Sequence, residues 1–305
     1  MWKKIITAGA VILVLSLGGE AFAQNNIAHL VRNLLKMGYP LNKEDVLALD
    51  KIGMRFDSKN RITVLEKILA DRDFIHSREE VDYFIRTEAI CDALRLLDEL
   101  DLPVARTLVE KLDQQQGWEA REKALLAYMA AKRDIRYQSN ISYLLDILPQ
   151  HGGNLEKNYS GESARAIIDV MNCLSYLSDL FVYNGDTYIL NALIRYGSKT
   201  YGFPAEYLSH LFVDMFVMKP KVFVATLAIK DDQIVHTVTN ALIFGIRNNQ
   251  VREKVEEVLR KDLSSVQEPS KHVVILLTKK INKQSDLAGQ ETGQDLTAPP
   301  AVSGQ

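Results

Sequence analysis

From Ile27 to Ile281 apolar residues recur at intervals of three and four, with few interruptions. That spacing places them on one face of a 3.6-residue helix, whereas a half-buried strand needs strict alternation. A chain patterned this way along nearly its whole length has to fold by packing helices against one another. Ile27, Leu30, Val31, Leu34 and Leu35 form the first stripe, which ends at Gly38 and Pro40. Asn42, Ser58 and Ser77 are suited to cap the next three helices, because short polar side chains bond the free N–H groups of a first turn. The helix after Ser77 is expected to reach Leu100, with Val81, Phe84, Ile85, Ala89, Leu94 and Leu97 inward. Pro103 stands where a first-turn proline is tolerated. Further helices are expected over 120–133 and 141–148, the second stopped by Pro149. The series then continues over 162–181, 187–196, 204–218, 220–229, 233–246, 251–262 and 271–281. The chain has only 16 glycines and 8 prolines among 305 residues, too few for a turn-rich all-β chain.

The richest run of turn residues between helices is 151–160, with Gly152, Gly153, Asn154 and Asn158. It is expected to separate a helical half at 24–150 from a second at 161–283. About fourteen helices joined by short loops suit antiparallel pairs stacked in series, since a single bundle needs far fewer. Two segments also align: Arg61-Ile-Thr-Val-Leu-Glu-Lys-Ile-Leu-Ala-Asp-Arg-Asp73 and Glu122-Lys-Ala-Leu-Leu-Ala-Tyr-Met-Ala-Ala-Lys-Arg-Asp134. Leu65 matches Leu126, Ala70 matches Ala131, and both end in Arg-Asp. Residues 220–246 form another helix, a tight Lys230-Asp231-Asp232 turn and a second helix. The pattern resembles the helical pairs of HEAT and armadillo-like repeat proteins, whose repeats run about 40–47 residues. The 61-residue offset between the aligned segments departs from that period. The resemblance implies an all-α superhelix, a HEAT/ARM-like solenoid with a concave face for a protein or peptide, and no catalytic residues.

The first 23 residues read as a signal peptide. Lys3 and Lys4 precede an apolar stretch from Ile5 to Leu17, and Ala21-Phe22-Ala23 offers small residues for cleavage before Gln24. The stretch is shorter than the roughly 20 residues a stable span requires. The short double-lysine leader points to a bacterial periplasm first and to secretion second. No later stretch approaches 18 uninterrupted apolar residues. Residues 284–305, rich in Gly, Gln, Thr, Pro and Ser, are expected to be a disordered tail. Removing Lys3, Lys4 and Glu20 takes the charge count from 37 basic and 39 acidic to 35 and 38, and the tail carries three of those acids. The body is therefore balanced, which argues against a nucleic-acid partner. Locally it is uneven: 76–120 holds 11 acidic and 5 basic residues, and 250–283 holds 8 basic and 5 acidic.

Cys91 and Cys173 each lie in an apolar helical stripe. Two buried thiols and a Cys91–Cys173 disulfide both fit an exported chain. Phosphate-binding loops, HExxH, GxSxG and CxxC motifs are missing, so nothing calls for a cofactor or a catalytic assignment. Two constellations stand out. Glu206, His210 and Asp214, at i, i+4 and i+8, share one helix face and offer donors for a metal or a proton relay, although an exposed polar stripe has the same spacing. Ten of the chain's 24 aromatic residues fall within 176–216, six of them tyrosines. Tyrosine suits recognition surfaces, which nominates Tyr183, Tyr188, Tyr196, Tyr201 and Tyr207 as binding residues. The expected function is that of a non-enzymatic exported scaffold or assembly factor that binds a protein or peptide in the cell envelope. The alternative is an all-α envelope enzyme or small-ligand binder with its site near His210.

Overall fold

The computed structural model describes residues 21–41, 44, 59–71, 83–149, 161–200 and 202–291. All regular structure among them is helical. Thirteen α-helices appear: α1 Ala21–Lys36, α2 Lys59–Ala70, α3 Tyr83–Arg95, α4 Leu102–Asp113, α5 Ala120–Lys132, α6 Tyr137–Ile147, α7 Gly161–Asn184, α8 Thr187–Gly197, α9 Phe203–Met218, α10 Pro220–Ala228, α11 Asp232–Gly245, α12 Asn249–Lys261 and α13 Ser270–Glu291. A 3-10 turn at Leu96–Glu99 follows α3, where the sequence suggests continuous helix to Leu100. Local chemistry sets several starts. Asp186 accepts from the Tyr188 amide at 2.8 Å, Asp231 from Ile234 at 2.9 Å and Asn248 from Val251 at 3.0 Å, each satisfying a first-turn N–H.

The chain divides into two compact units, Met1–Leu144 and Leu145–Gln305. The division falls within α6, ahead of the glycine- and asparagine-rich stretch 151–160, which lies outside the described residues. Turn residues mark where a chain is free to bend, whereas a unit ends where packing ends.

In the first unit α3 packs against α1, α2 and α5, and α4 packs against α5. Ala89, Ile90, Cys91, Ala93 and Leu94 of α3 are all fully buried, so this helix is enclosed around most of its circumference. Leu30 and Leu34 of α1 and Leu65, Ile68 and Leu69 of α2 close over it. A leucine buried this completely stabilises by about 1.5–3 kcal/mol. Helix α1 is described from Ala21, so the expected cleavage point between Ala23 and Gln24 lies in helical chain.

In the second unit α9 packs on both α7 and α11, and α11 packs on α13. Helix α8 packs on α7, α10 and α11, and α10 on α9 and α13. Phe212 and Phe216 of α9 meet Phe223 of α10 edge-on, with ring centroids 6.0 and 5.8 Å apart. Gly245 ends α11 where it crosses α9 closely: a Cβ there would stand 2.2 Å from the Ser209 carbonyl oxygen. One described segment, Arg165–Asn184 of α7, is long and apolar enough to cross a bilayer, and 44% of its 18-residue window is buried inside the protein. Helix α13 continues past Lys283 to Glu291, where the sequence leads one to expect a disordered tail. Gln, Leu, Ala and Glu in that stretch are good helix formers, and extending a helix already anchored by the buried Ile281 costs little.

Candidate functional site

Two places gather chemistry, one in each unit. In the first, α3 carries Glu88, Asp92 and Arg95 at i, i+4 and i+7, which sets all three on one face. Arg95 Nη1 donates to Glu88 Oε1 at 2.8 Å and to Asp92 Oδ1 at 2.6 Å. Arg121 of α5 donates from Nη2 to Glu88 Oε2 at 2.6 Å. From α1, His29 brings Nδ1 to 2.6 Å from Asp92 Oδ2, with Asn33 Nδ2 3.3 Å from the same ring nitrogen. The Asp92 side chain is only 2% exposed, whereas His29 is 45% exposed. Burial pushes the Asp92 carboxyl up, and the His29 hydrogen bond and Arg95 charge offset that only in part, so it stays above the usual aspartate range. Burial also pushes Glu88 up, but there the Arg95 hydrogen bond and the charges of Arg95 and Arg121 prevail and hold it below the usual glutamate range.

His29, Glu88 and Asp92 present ligand atoms within 4.8 Å of one another, a set with the donor types of a metal site. Both carboxylates already accept from guanidinium groups, however. A dication would sit against Arg95, which bridges them, so the donor set fits an internally neutralised charge cluster better than a metal. Two carboxylates and two guanidiniums sum to zero. The cluster ties α1 and α5 to α3.

The acidic bias of 76–120 is met from nearby in the same way. Lys132 pairs with Asp98 at 3.0 Å and Arg136 with Asp113 at 2.6 Å, besides Arg121 with Glu88. The early negative balance is therefore partly neutralised inside the unit and is not simply a face presented to solvent.

The second place is in the unit formed by α7 to α13. Tyr183 lies in the last turn of α7 and is 65% exposed; Tyr188 lies in the first turn of α8 and is 51% exposed. The turn between them is closely defined. Gly185 takes a positive φ of 75°, a conformation natural to glycine, and Asn184 Oδ1 accepts from the Asp186 amide at 2.9 Å. The remaining tyrosines part company with this pair. Tyr196 is buried at 9% exposure, and burial pushes its hydroxyl up. Tyr207 is half-buried with its hydroxyl against Ser175 Oγ. Tyr201 lies outside the described residues. Seven of the nine described large apolar side chains that are exposed belong to this unit, among them Phe203, Met218, Ile229 and Phe244.

The α9 column is not gathered into a ligand set: among the described residues, only His29, Glu88 and Asp92 bring three donors together. Glu206 and Asp214 are exposed and His210 is half-buried. His210 Nδ1 lies 2.9 Å from the Gly245 carbonyl oxygen, and its ring stacks on the exposed Phe244, with centroids 6.5 Å apart. Although Asp214 is exposed as a residue, neighbouring groups partly desolvate its carboxyl and push it up against the opposing charges of Arg247, His210 and Lys254. Cys91 and Cys173 are free and buried, one in each unit, and burial pushes both thiols up to about 12.

Comparisons with protein families, with curated proteins and with solved structures give no match. The spacing of Glu88, Asp92 and Arg95 is the signal that sequence reasoning passed over. Three charges on one face, set among the apolar Ala89, Ile90, Cys91, Ala93 and Leu94, mark a buried network.

Proposed function

We propose that the chain is an exported helical-repeat protein that binds another protein or peptide in the cell envelope, in the periplasm or as a secreted factor, and acts there as a scaffold or assembly factor. The leader-like first 23 residues support the export. The order of packing in the second unit supports stacked helix pairs. Helices α7, α9, α11 and α13 touch in succession and α8 packs on α10, as in two stacked layers, while α12 departs from that order by packing on α9 and α13.

The observation that carries the binding reading is the tyrosine pair. Tyr183 and Tyr188 stand 65% and 51% exposed on either side of a turn fixed by Gly185 and the Asp186 cap. Such rings offer large apolar area with a polar tip, and holding them on helix ends lowers the entropy cost of engaging them. Burying a tyrosine of this kind in an interface contributes about 2 kcal/mol or more.

Affinity capture of the full chain from envelope extract, beside a Tyr183→Ala/Tyr188→Ala variant, tests this reading. The wild type should retain a partner that the variant loses by at least about tenfold, the equivalent of 1.4 kcal/mol. Equal retention by a normally folded variant refutes the tyrosine surface.

A further inference from the structure

In a chain exported as proposed, removal of the leader after Ala23 makes Gln24 the first residue. On that export reading, we propose that Gln24 is a modification site, at which the α-amine closes onto the residue's own side-chain amide and the mature chain begins with pyroglutamate. The neutral α-nitrogen attacks the side-chain carbonyl carbon Cδ. A C–N bond forms and completes a five-membered lactam. The Cδ–Nε2 bond breaks, and ammonia leaves with the proton shed by the α-nitrogen. No oxidant, reductant or second substrate enters the balance. Nucleophile and electrophile belong to one residue, so the step has the advantage of an intramolecular reaction. An α-amine titrates at about 8, which leaves roughly a tenth of it neutral and nucleophilic at pH 7.

The fold adds two reasons. Helix α1 is continuous from Ala21 to Lys36, so a chain beginning at Gln24 begins on a helical turn. A free α-ammonium would stand there at the positive end of the helix dipole. The first turn of the shortened helix, Gln24-Asn25-Asn26-Ile27, holds no carboxylate to offset it. Lactam formation removes that charge and also denies aminopeptidases the amine they need. The reaction is compatible with the fold: the buried anchors Leu30 and Leu34 lie one and a half turns or more farther along α1.

The test is intact-mass measurement and N-terminal sequencing of the full chain after expression and export, isolated at mildly acidic pH to stop cyclisation during handling. A Gln24→Asn variant runs alongside, because asparagine would have to close a strained four-membered ring. The expected result is a chain starting at Gln24 that is lighter by one ammonia and blocked to sequencing, in at least about tenfold excess over the free form. The asparagine variant should show its full mass and a free amine. A chain starting at Gln24 with a free amine overturns this proposal and leaves the export reading standing. A chain starting at another residue past the leader does the same. A product that retains Met1 overturns the export reading and this proposal with it.

Discussion

Arg95→Leu is the substitution that most directly probes the charged cluster of the first unit. Arg95 Nη1 bonds both Glu88 and Asp92, at 2.8 and 2.6 Å. Without it Glu88 still has Arg121, but Asp92, with its side chain 2% exposed, is left with His29 alone. With charge centres about 4 Å apart and an effective dielectric near 20, each lost attraction is about 4 kcal/mol. Deleting one member of a buried pair generally costs about 3–5 kcal/mol. Arg95 itself is 31% exposed, which places the expectation at the lower end of that range, about 3 kcal/mol. Urea unfolding followed by tryptophan fluorescence reports on this unit. The sequence has two tryptophans, Trp2 in the leader-like first 23 residues and Trp118, whose indole N–H donates to the Leu112 carbonyl at 3.1 Å. The midpoint should fall while the slope is kept. Adding Asp92→Asn to Arg95→Leu should recover part of the loss, because the uncompensated charge goes with it. A loss below about 1 kcal/mol, or strictly additive effects in the double variant, would refute the reasoning that this is a coupled buried network.

The same geometry sets three further outcomes. Glu88 is held below the ordinary glutamate value of about 4.3, so the unfolded chain binds more protons just below that pH. Its stabilisation is therefore full above that pH and lost as pH falls through the lowered value. Glu88→Gln should flatten the acid limb of a stability-versus-pH curve, and an unchanged limb would count against the pairing. Both thiols are buried and pushed up to about 12, so a thiol reagent should label neither in the native protein and both in denaturant, with or without reductant. Label uptake in denaturant that depends on reductant would reveal a disulfide instead. Gly245→Ala drives a Cβ to 2.2 Å from the Ser209 backbone oxygen, whereas Gly197→Ala meets the end of the Leu208 side chain at 2.9 Å. Thermal unfolding should show the first to cost about 3 kcal/mol or more and the second about 1.

Helix existence was legible because the three- and four-residue spacing persists wherever a helix has an inner face, as in α8 with Ile189, Leu190, Leu193 and Ile194 all buried. Helix starts expected at 187, 233 and 251 fall within two residues of those that Asp186, Asp231 and Asn248 cap, whereas the caps named from sequence, Asn42, Ser58 and Ser77, lie outside the described residues. The end of α13 was not legible. The residues after Lys283 include helix formers but carry no periodic apolar stripe, so nothing in the sequence marks them as helix. The tyrosines show the limit for sites. Tyr183 and Tyr196 are alike in sequence context, but one closes a helix at a turn and the other sits over the buried side of α8. Asp92 was hidden for the opposite reason: a charge inside an apolar run reads as a solvent-facing position until the neighbouring helices are in place.

The central claim, that a partner in the envelope is met at the turn between α7 and α8, is tested most directly by site-specific photocrosslinking in intact cells. A photoreactive phenylalanine is placed at Tyr183, at Tyr188, or at the exposed Arg195 farther along α8. The account predicts one discrete crosslinked adduct in the envelope fraction from the first two positions and none from the third. Absence of any adduct at Tyr183 and Tyr188, or equal crosslinking from Arg195, would contradict it.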